Sequence, residues 1–223
     1  MSDRAAPTLE LFFDYSSPFA YLASTQAERL AAETGATLVW RPFLLGALFK
    51  AIGTPLVPIA SFPEPKRRYL RADMERWAAH WGVPLRFPSG FPLRTVDALR
   101  LTLAAGCPAP LIHRLFRALW VEDRAPDRAT LAACLDDACP EDGGLDPALL
   151  ERVDEPSIKD ALREATQAAI DGDVPGAPTF RVTRGERVEL FWGQDRLDFV
   201  RAALEGRAPW NDDGSPASPP AVK

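Results

Sequence analysis

The hydrophobic period of this chain changes twice between residues 8 and 41, and that order of periods limits the folds open to it. "TLELFFD" (8–14) alternates and is rich in aromatics, which predicts a core strand. From Pro18 to Glu33 the apolar positions Leu22, Ala23, Ala27, Leu30 and Ala31 recur at helical spacing, with Gly35 placed to cap the C-terminus. "TLVWR" (37–41) predicts a second strand. A strand, a helix of about four turns and a strand close as a right-handed βαβ unit, so the two strands are expected to pair in parallel.

From Leu44 to about Gly172 the pattern turns helical. "YLRADMERWAAHWG", "TVDALRLTLAAG", "APLIHRLFRALWVED", "DRATLAACLDDA" and "DPALLERV" read as helices separated by proline or glycine. "SIKDALREATQAAIDGD" (157–173) is the last of the run, and its Ser157-x-x-Asp160 spacing approaches a capping box. Strands return at "TFRVT" (179–183) and "RVELFW" (187–192), with a turn at Arg184-Gly185 that predicts an antiparallel hairpin. "QDRLDFVRAALEG" (194–206) predicts a closing amphipathic helix, and the Pro-rich stretch 207–223 a mobile tail. The order βαβ, helices, ββα resembles a thioredoxin-like α/β domain, a mixed sheet with a large all-helical insertion. Residues 8–43 and 174–206 would form that domain and 44–173 the insertion.

Composition narrows the function. At 223 residues and 47% hydrophobic the chain can bury a sizeable core, and a net charge of −5 argues against a general nucleic-acid binder. The basic cluster "PKRRYLR" (65–71) reads as a solvated helix face or as a local anion site. "MSDRAAPTLE" lacks the apolar core of a signal peptide, and nowhere do 18 apolar residues run together, so a soluble cytoplasmic protein is expected. Cys107, Cys134 and Cys139 are odd in number and lack C-x-x-C spacing, and His80 and His113 are the only histidines. A disulfide framework, a metal site and a histidine-based hydrolase triad are therefore not expected.

Chemistry concentrates in a few places. In "FFDYSSPFAYLAS" (12–24) a strand hands over to a helix at Ser16 and Ser17. With Ser17 as N-cap, Pro18 takes the first helical position, and the Ser17 hydroxyl stands at the positive helix end beside unpaired N–H groups. That is an ordinary cap, or a place that favours an anion such as a thiolate. In "GAPTF" (176–180), Pro178 either opens an edge strand in trans or is the cis proline of a thioredoxin-like fold. Gln194 and Asp195 begin the last helix, where Asp195 either caps it or accepts an ammonium group. Lys66 and Tyr69 share a helical face; Lys66 can pair with a carboxylate, and Tyr69 can simply pack.

Taken together, "FDYSSPFAYLA", "KRRYLRADMERWA", "VPLRFPSGFP", "GAPTF" and "FWGQDRLDFV" resemble the 2-hydroxychromene-2-carboxylate isomerases. These are relatives of the kappa-class glutathione transferases with a DsbA-type thioredoxin architecture, and the resemblance runs from about residue 8 to 206. It implies that serine replaces the first cysteine of the redox pair, so that Ser17 and Ala20 occupy the two thiol positions and disulfide exchange is excluded. It implies glutathione as the thiol, with Ser17 catalytic beside the sulfur. Ala177, before cis Pro178, would hold the cysteinyl unit, and Gln194 and Asp195 the γ-glutamyl end. Lys66 would lie near the glycine carboxylate or the acidic substrate, with Lys50 a further candidate for the substrate carboxylate. Thr54 stands where many relatives carry an asparagine that contacts the cofactor. Phe49, Phe62, Trp77, Trp81 and Phe91 offer a wall for a flat aromatic substrate or simply pack in the core.

The resemblance implies interconversion of 2-hydroxychromene-2-carboxylate and trans-o-hydroxybenzylidenepyruvate by transient thiolate addition, in a homodimer, with no nucleic acid or membrane partner. Two alternatives share the same residues: a kappa-like glutathione transferase, and a non-catalytic thioredoxin-like module that holds a peptide in its cis-proline groove.

Overall fold

The computed structural model describes residues 6–139, 141 and 143–207. Strand β1 (Thr8–Phe13) leads through Ser17 into helix α1 (Pro18–Thr34), and β2 (Thr37–Pro42) follows. Gly35 closes α1 in the left-handed region at φ 67°, where a glycine carries no Cβ penalty. Helices α2 (Leu45–Ala51), α3 (Glu64–Trp81), α4 (Val96–Ala104), α5 (Ala109–Trp120), α6 (Arg128–Ala138), α7 (Leu149–Arg152) and α8 (Pro156–Asp171) come next. Strands β3 (Thr179–Arg184) and β4 (Arg187–Trp192) then precede a 3-10 turn (Gln194–Arg196) and α9 (Leu197–Leu204).

The sheet order is β2-β1-β3-β4. β1 runs parallel to β2, as a βαβ unit requires, and antiparallel to β3. This is a thioredoxin-like mixed sheet of DsbA type, with seven described helices between its second and third strands. Alternation along β1 divides its side chains. Leu9 and Leu11 pack with Ala23, Ala27, Leu30 and Leu204 of α1 and α9, while Phe12 joins Phe43, Leu48 and Val174 on the other face. Phe13 and Tyr15 enter the core of the helical part beside Phe116 and Trp120, so the end of β1, still paired with β2 through its backbone, is also anchored in the helices.

Several local expectations shift. Helix α3 begins at Glu64, earlier than the apolar pattern indicates, because Pro63 and Pro65 start it and its first turns are solvent-exposed. The hairpin turn lies at Gly185-Glu186, since Arg184 still pairs with Arg187. No capping box forms at Ser157: Glu155 is the N-cap residue, Pro156 opens α8, and Asp160 pairs with Arg163 instead. "DPALLERV" yields only the single turn of α7. The closing helix divides into a 3-10 turn and α9. The tail proposed for 207–223 lies outside the described residues beyond Arg207. Among the described residues no helix is long and apolar enough to cross a membrane.

Candidate active site

Ser17 is the α1 N-cap, with extended backbone at φ −97° and ψ 118°. Its Oγ accepts the Ala20 N–H at 3.2 Å and donates to the Ala177 carbonyl at 2.8 Å. The Tyr21 N–H goes to the Ser17 carbonyl, and Pro18 has none, which leaves Phe19 with the open amide of the first turn. The Ala177–Pro178 bond is cis. The Gly193 N–H donates to the Pro178 carbonyl at 3.0 Å, which seats Gln194 and Asp195 beside the same loop. Helix terminus, cis-proline loop and the start of the last helix therefore converge, although they come from opposite ends of the chain.

Buried Gln194 and exposed Asp195 border a cleft of about 250 Å³. Its other walls include Gln26 and Arg29 of α1, Trp77 and Trp81 of α3, and Asp198 and Arg201 of α9; Ser17 and Ala177 do not line it. Asp195 meets Arg196 at 3.5 Å on its solvent side. The remaining candidates stand elsewhere. Lys50 lies in the last turn of α2, in solvent; the Thr54 N–H donates to the Phe49 carbonyl at 2.8 Å. Lys66 lies in solvent with its ammonium 3.7 Å above the Phe62 ring, a cation–π contact, and Tyr69 is exposed. The Phe91 ring lies tilted against Phe87 at 5.0 Å, and Phe87 meets Trp120 edge-on. Among the described residues no hydrogen bond or ion pair joins Lys50, Thr54, Lys66 or Phe91 to Ser17 or Ala177.

The serine turn has supports that the motif reading passed over. The Asp14 carboxylate, 1% exposed, accepts the Ser16 N–H at 2.9 Å, the Leu45 N–H at 2.8 Å and the Thr95 hydroxyl at 2.6 Å. Burial pushes its pKa up, while those three donors pull it back only in part. Next in the chain, the Tyr15 hydroxyl bonds Thr102 Oγ1 at 2.6 Å, and its carbonyl accepts the Trp120 indole N–H at 2.7 Å. Burial likewise pushes the Tyr15 phenol well above its usual pKa, so it stays protonated. The Tyr21 hydroxyl donates to the Pro84 carbonyl at 2.6 Å. One signal was available in sequence: Asp14 directly follows the aromatic end of the first strand, with only Tyr15 between it and the serine pair, and a carboxylate there must either reach water or be given donors.

Burial raises the Cys107 and Cys134 thiols to about 11, so neither supplies a thiolate at neutral pH. The α1 terminus carries Ser17 and Ala20 and no thiol, so thioredoxin-type disulfide exchange has no sulfur to work with there. Fold and site thus define a thioredoxin-like protein of DsbA architecture with a hydroxyl and no thiol at the α1 terminus.

Comparison with known proteins agrees. The DSBA-like thioredoxin domain family matches residues 8–205. A 2-hydroxychromene-2-carboxylate isomerase of Sphingobium xenophagum is 34% identical, over 88% of this chain and 97% of the relative. A solved structure of a 2-hydroxychromene-2-carboxylate isomerase superposes with a TM-score of 0.73 at 29% identity, over 90% of this chain and 95% of that one. Human glutathione S-transferase kappa 1 is more distant, at 26% identity over 88% of this chain and 90% of its own. The chain belongs to the 2-hydroxychromene-2-carboxylate isomerase family, and it is an enzyme of the isomerase class.

Proposed function

We propose that this protein is a glutathione-dependent isomerase that interconverts 2-hydroxychromene-2-carboxylate and trans-o-hydroxybenzylidenepyruvate, or a closely similar pair of aromatic intermediates. The observation that carries the reading is the Ser17 hydroxyl lying against the carbonyl of Ala177, at the mouth of α1 and beside cis Pro178. The residues present fit a tripeptide thiol. A hydroxyl and the open Phe19 amide suit a sulfur anion, the Ala177 backbone suits the cysteinyl peptide, and Gln194 and Asp195 suit an amino-acid head group. The kappa-class relatives, which are named as glutathione transferases, support glutathione as that thiol.

When bound, glutathione supplies a thiolate that adds reversibly to the conjugated double bond and leaves unchanged. Ser17 turns its hydroxyl from the Ala177 carbonyl to the sulfur and donates to it. One charge-assisted hydrogen bond at a helix N-terminus is worth about 2–4 kcal/mol in favour of the anion. That is enough to convert a mostly protonated thiol to a mostly ionised one at neutral pH. Asp195 accepts the γ-glutamyl ammonium, and Gln194 hydrogen-bonds the adjacent carboxylate. Lys66 and Lys50 attract the carboxylates of cofactor and substrate, Thr54 donates to the cofactor, and Phe91 belongs to the aromatic wall. In this reading segments 8–43 and 174–206 carry the thiol site and the 44–173 helices shape the substrate side. The enzyme works as a cytosolic homodimer, in a compartment where glutathione is kept reduced.

Product analysis with glutathione present tests this directly. An isomer with glutathione recovered is expected; a stable glutathione adduct would make the protein a transferase. No turnover, together with no rise in melting temperature on adding glutathione, would leave only a binding module for other ligands.

A further inference from the structure

The Asp14 carboxylate is buried without an ion pair among the described residues, which is costly unless something holds it. Its three donors come from three segments: the serine turn itself through Ser16, the first residue of α2 through Leu45, and the residue before α4 through Thr95. The Asp14 main-chain carbonyl also accepts the Ser17 N–H at 3.1 Å. One residue therefore holds both serine amides, Ser16 through its side chain and Ser17 through its backbone. It also ties that turn to two helices of the insertion. Two of the donors are backbone N–H groups, which can only donate, so a carboxylate satisfies the site and an amide does not. An asparagine would turn its own NH2 toward at least one N–H or hydroxyl.

We propose that Asp14 is the positioning residue of the Ser17 hydroxyl: its carboxylate, clamped by the Ser16 and Leu45 amides and the Thr95 hydroxyl, sets the turn that aims Ser17 Oγ at the cis-proline loop. This rests on the serine role proposed above. It adds that the helical insertion reaches the site through this buried charge as well as through its walls. The two oxygens divide the work. Oδ1 joins the Ser16 amide to Thr95, and Oδ2 holds the start of α2. Removing one donor therefore loosens the turn without emptying the site.

A double-mutant cycle tests it: isomerisation kinetics with glutathione for the wild type, Asp14→Asn, Ser17→Ala and the double variant. Asp14→Asn is expected to lower kcat by about tenfold or more, with KM for the aromatic substrate changed by less than about twofold. In the Ser17→Ala background the same change should cost less than about twofold, because nothing remains to be aimed. Equal losses in both backgrounds, or no loss in the wild type, overturn the proposal while leaving the serine role intact. A fully active Ser17→Ala overturns both. If Asp14→Asn does not fold, Thr95→Val takes its place, removing one donor and leaving the charge. A kcat loss of about threefold, restored by Thr95→Ser and absent in the Ser17→Ala background, is then expected. A loss of the same size in that background overturns the proposal.

Discussion

The Ser17 hydroxyl and the Ala177 carbonyl lie 2.8 Å apart although 160 positions separate them in the chain. Antiparallel pairing of β1 with β3, which sets Phe12 opposite Thr179, carries the two loops to one end of the sheet. Everything proposed for the site depends on that meeting.

Replacing Ser17 by alanine removes the hydroxyl and leaves the fold. Turnover is expected to fall about 30- to 100-fold, the size of a lost hydrogen bond to a charged partner. The lost cap on the Ala20 amide costs about 1 kcal/mol, a melting shift of a few degrees by circular dichroism. Ser16→Ala should be close to wild type in both respects, since Ser16 serves Asp14 through its backbone N–H.

Asp195 is exposed, so its attraction for an ammonium group is screened. Asp195→Asn is expected to weaken glutathione binding by about two- to fivefold in titration calorimetry and to leave kcat nearly unchanged. The effect should shrink at high salt. A drop in kcat with unaltered affinity would place Asp195 in another role.

Gly176 has no room for a side chain. A Cβ there would lie 2.9 Å from the Trp192 indole nitrogen, and Trp192 is 59% exposed. Gly176→Ala is expected to push that ring outward, cost about 1–2 kcal/mol and raise KM by disturbing the loop that carries Ala177. A change in tryptophan fluorescence without unfolding would accompany it.

Glu10, 4% exposed on β1, bridges Arg41 and Arg181. Burial alone would raise its carboxyl, but hydrogen bonds and charge from the two guanidiniums hold it below the ordinary value of 4.5. A pKa lowered in the folded state adds stability above the unfolded-state value and loses it as pH falls through the folded one. Glu10→Ala should therefore cost about 1–3 kcal/mol at neutral pH. The gap from wild type should begin to close as the pH falls below the ordinary value of 4.5 and go on closing through the lower folded value, measured by denaturant melts.

The local elements were legible because their signals are short-range. Ser17 followed by Pro18 marks a helix start, Gly35 marks its end, and strand alternation marks β1, β3 and β4 without any knowledge of the rest of the chain. The family segments, "GAPTF" and "FWGQDRLDFV" above all, pointed to the thioredoxin-like layout, and the first of them to the cis-proline loop that meets Ser17. Where such signals conflicted with packing, packing won. The Ser157 pattern lost its cap role to Glu155.

What the amino-acid order determined alone was the succession of strands and helices and the absence of a thiol at the α1 terminus, since period, caps and residue identity are properties of neighbours. Only the tertiary structure decided that Asp14 would be sealed from water among three donors, that Trp120 would hold the Tyr15 carbonyl, and that Phe91 and Pro92 would join in cis. The Leu45 and Thr95 donors of Asp14 and the Trp120 donor of Tyr15 stand 31 to 105 positions from their partners, so no short window along the chain contains both.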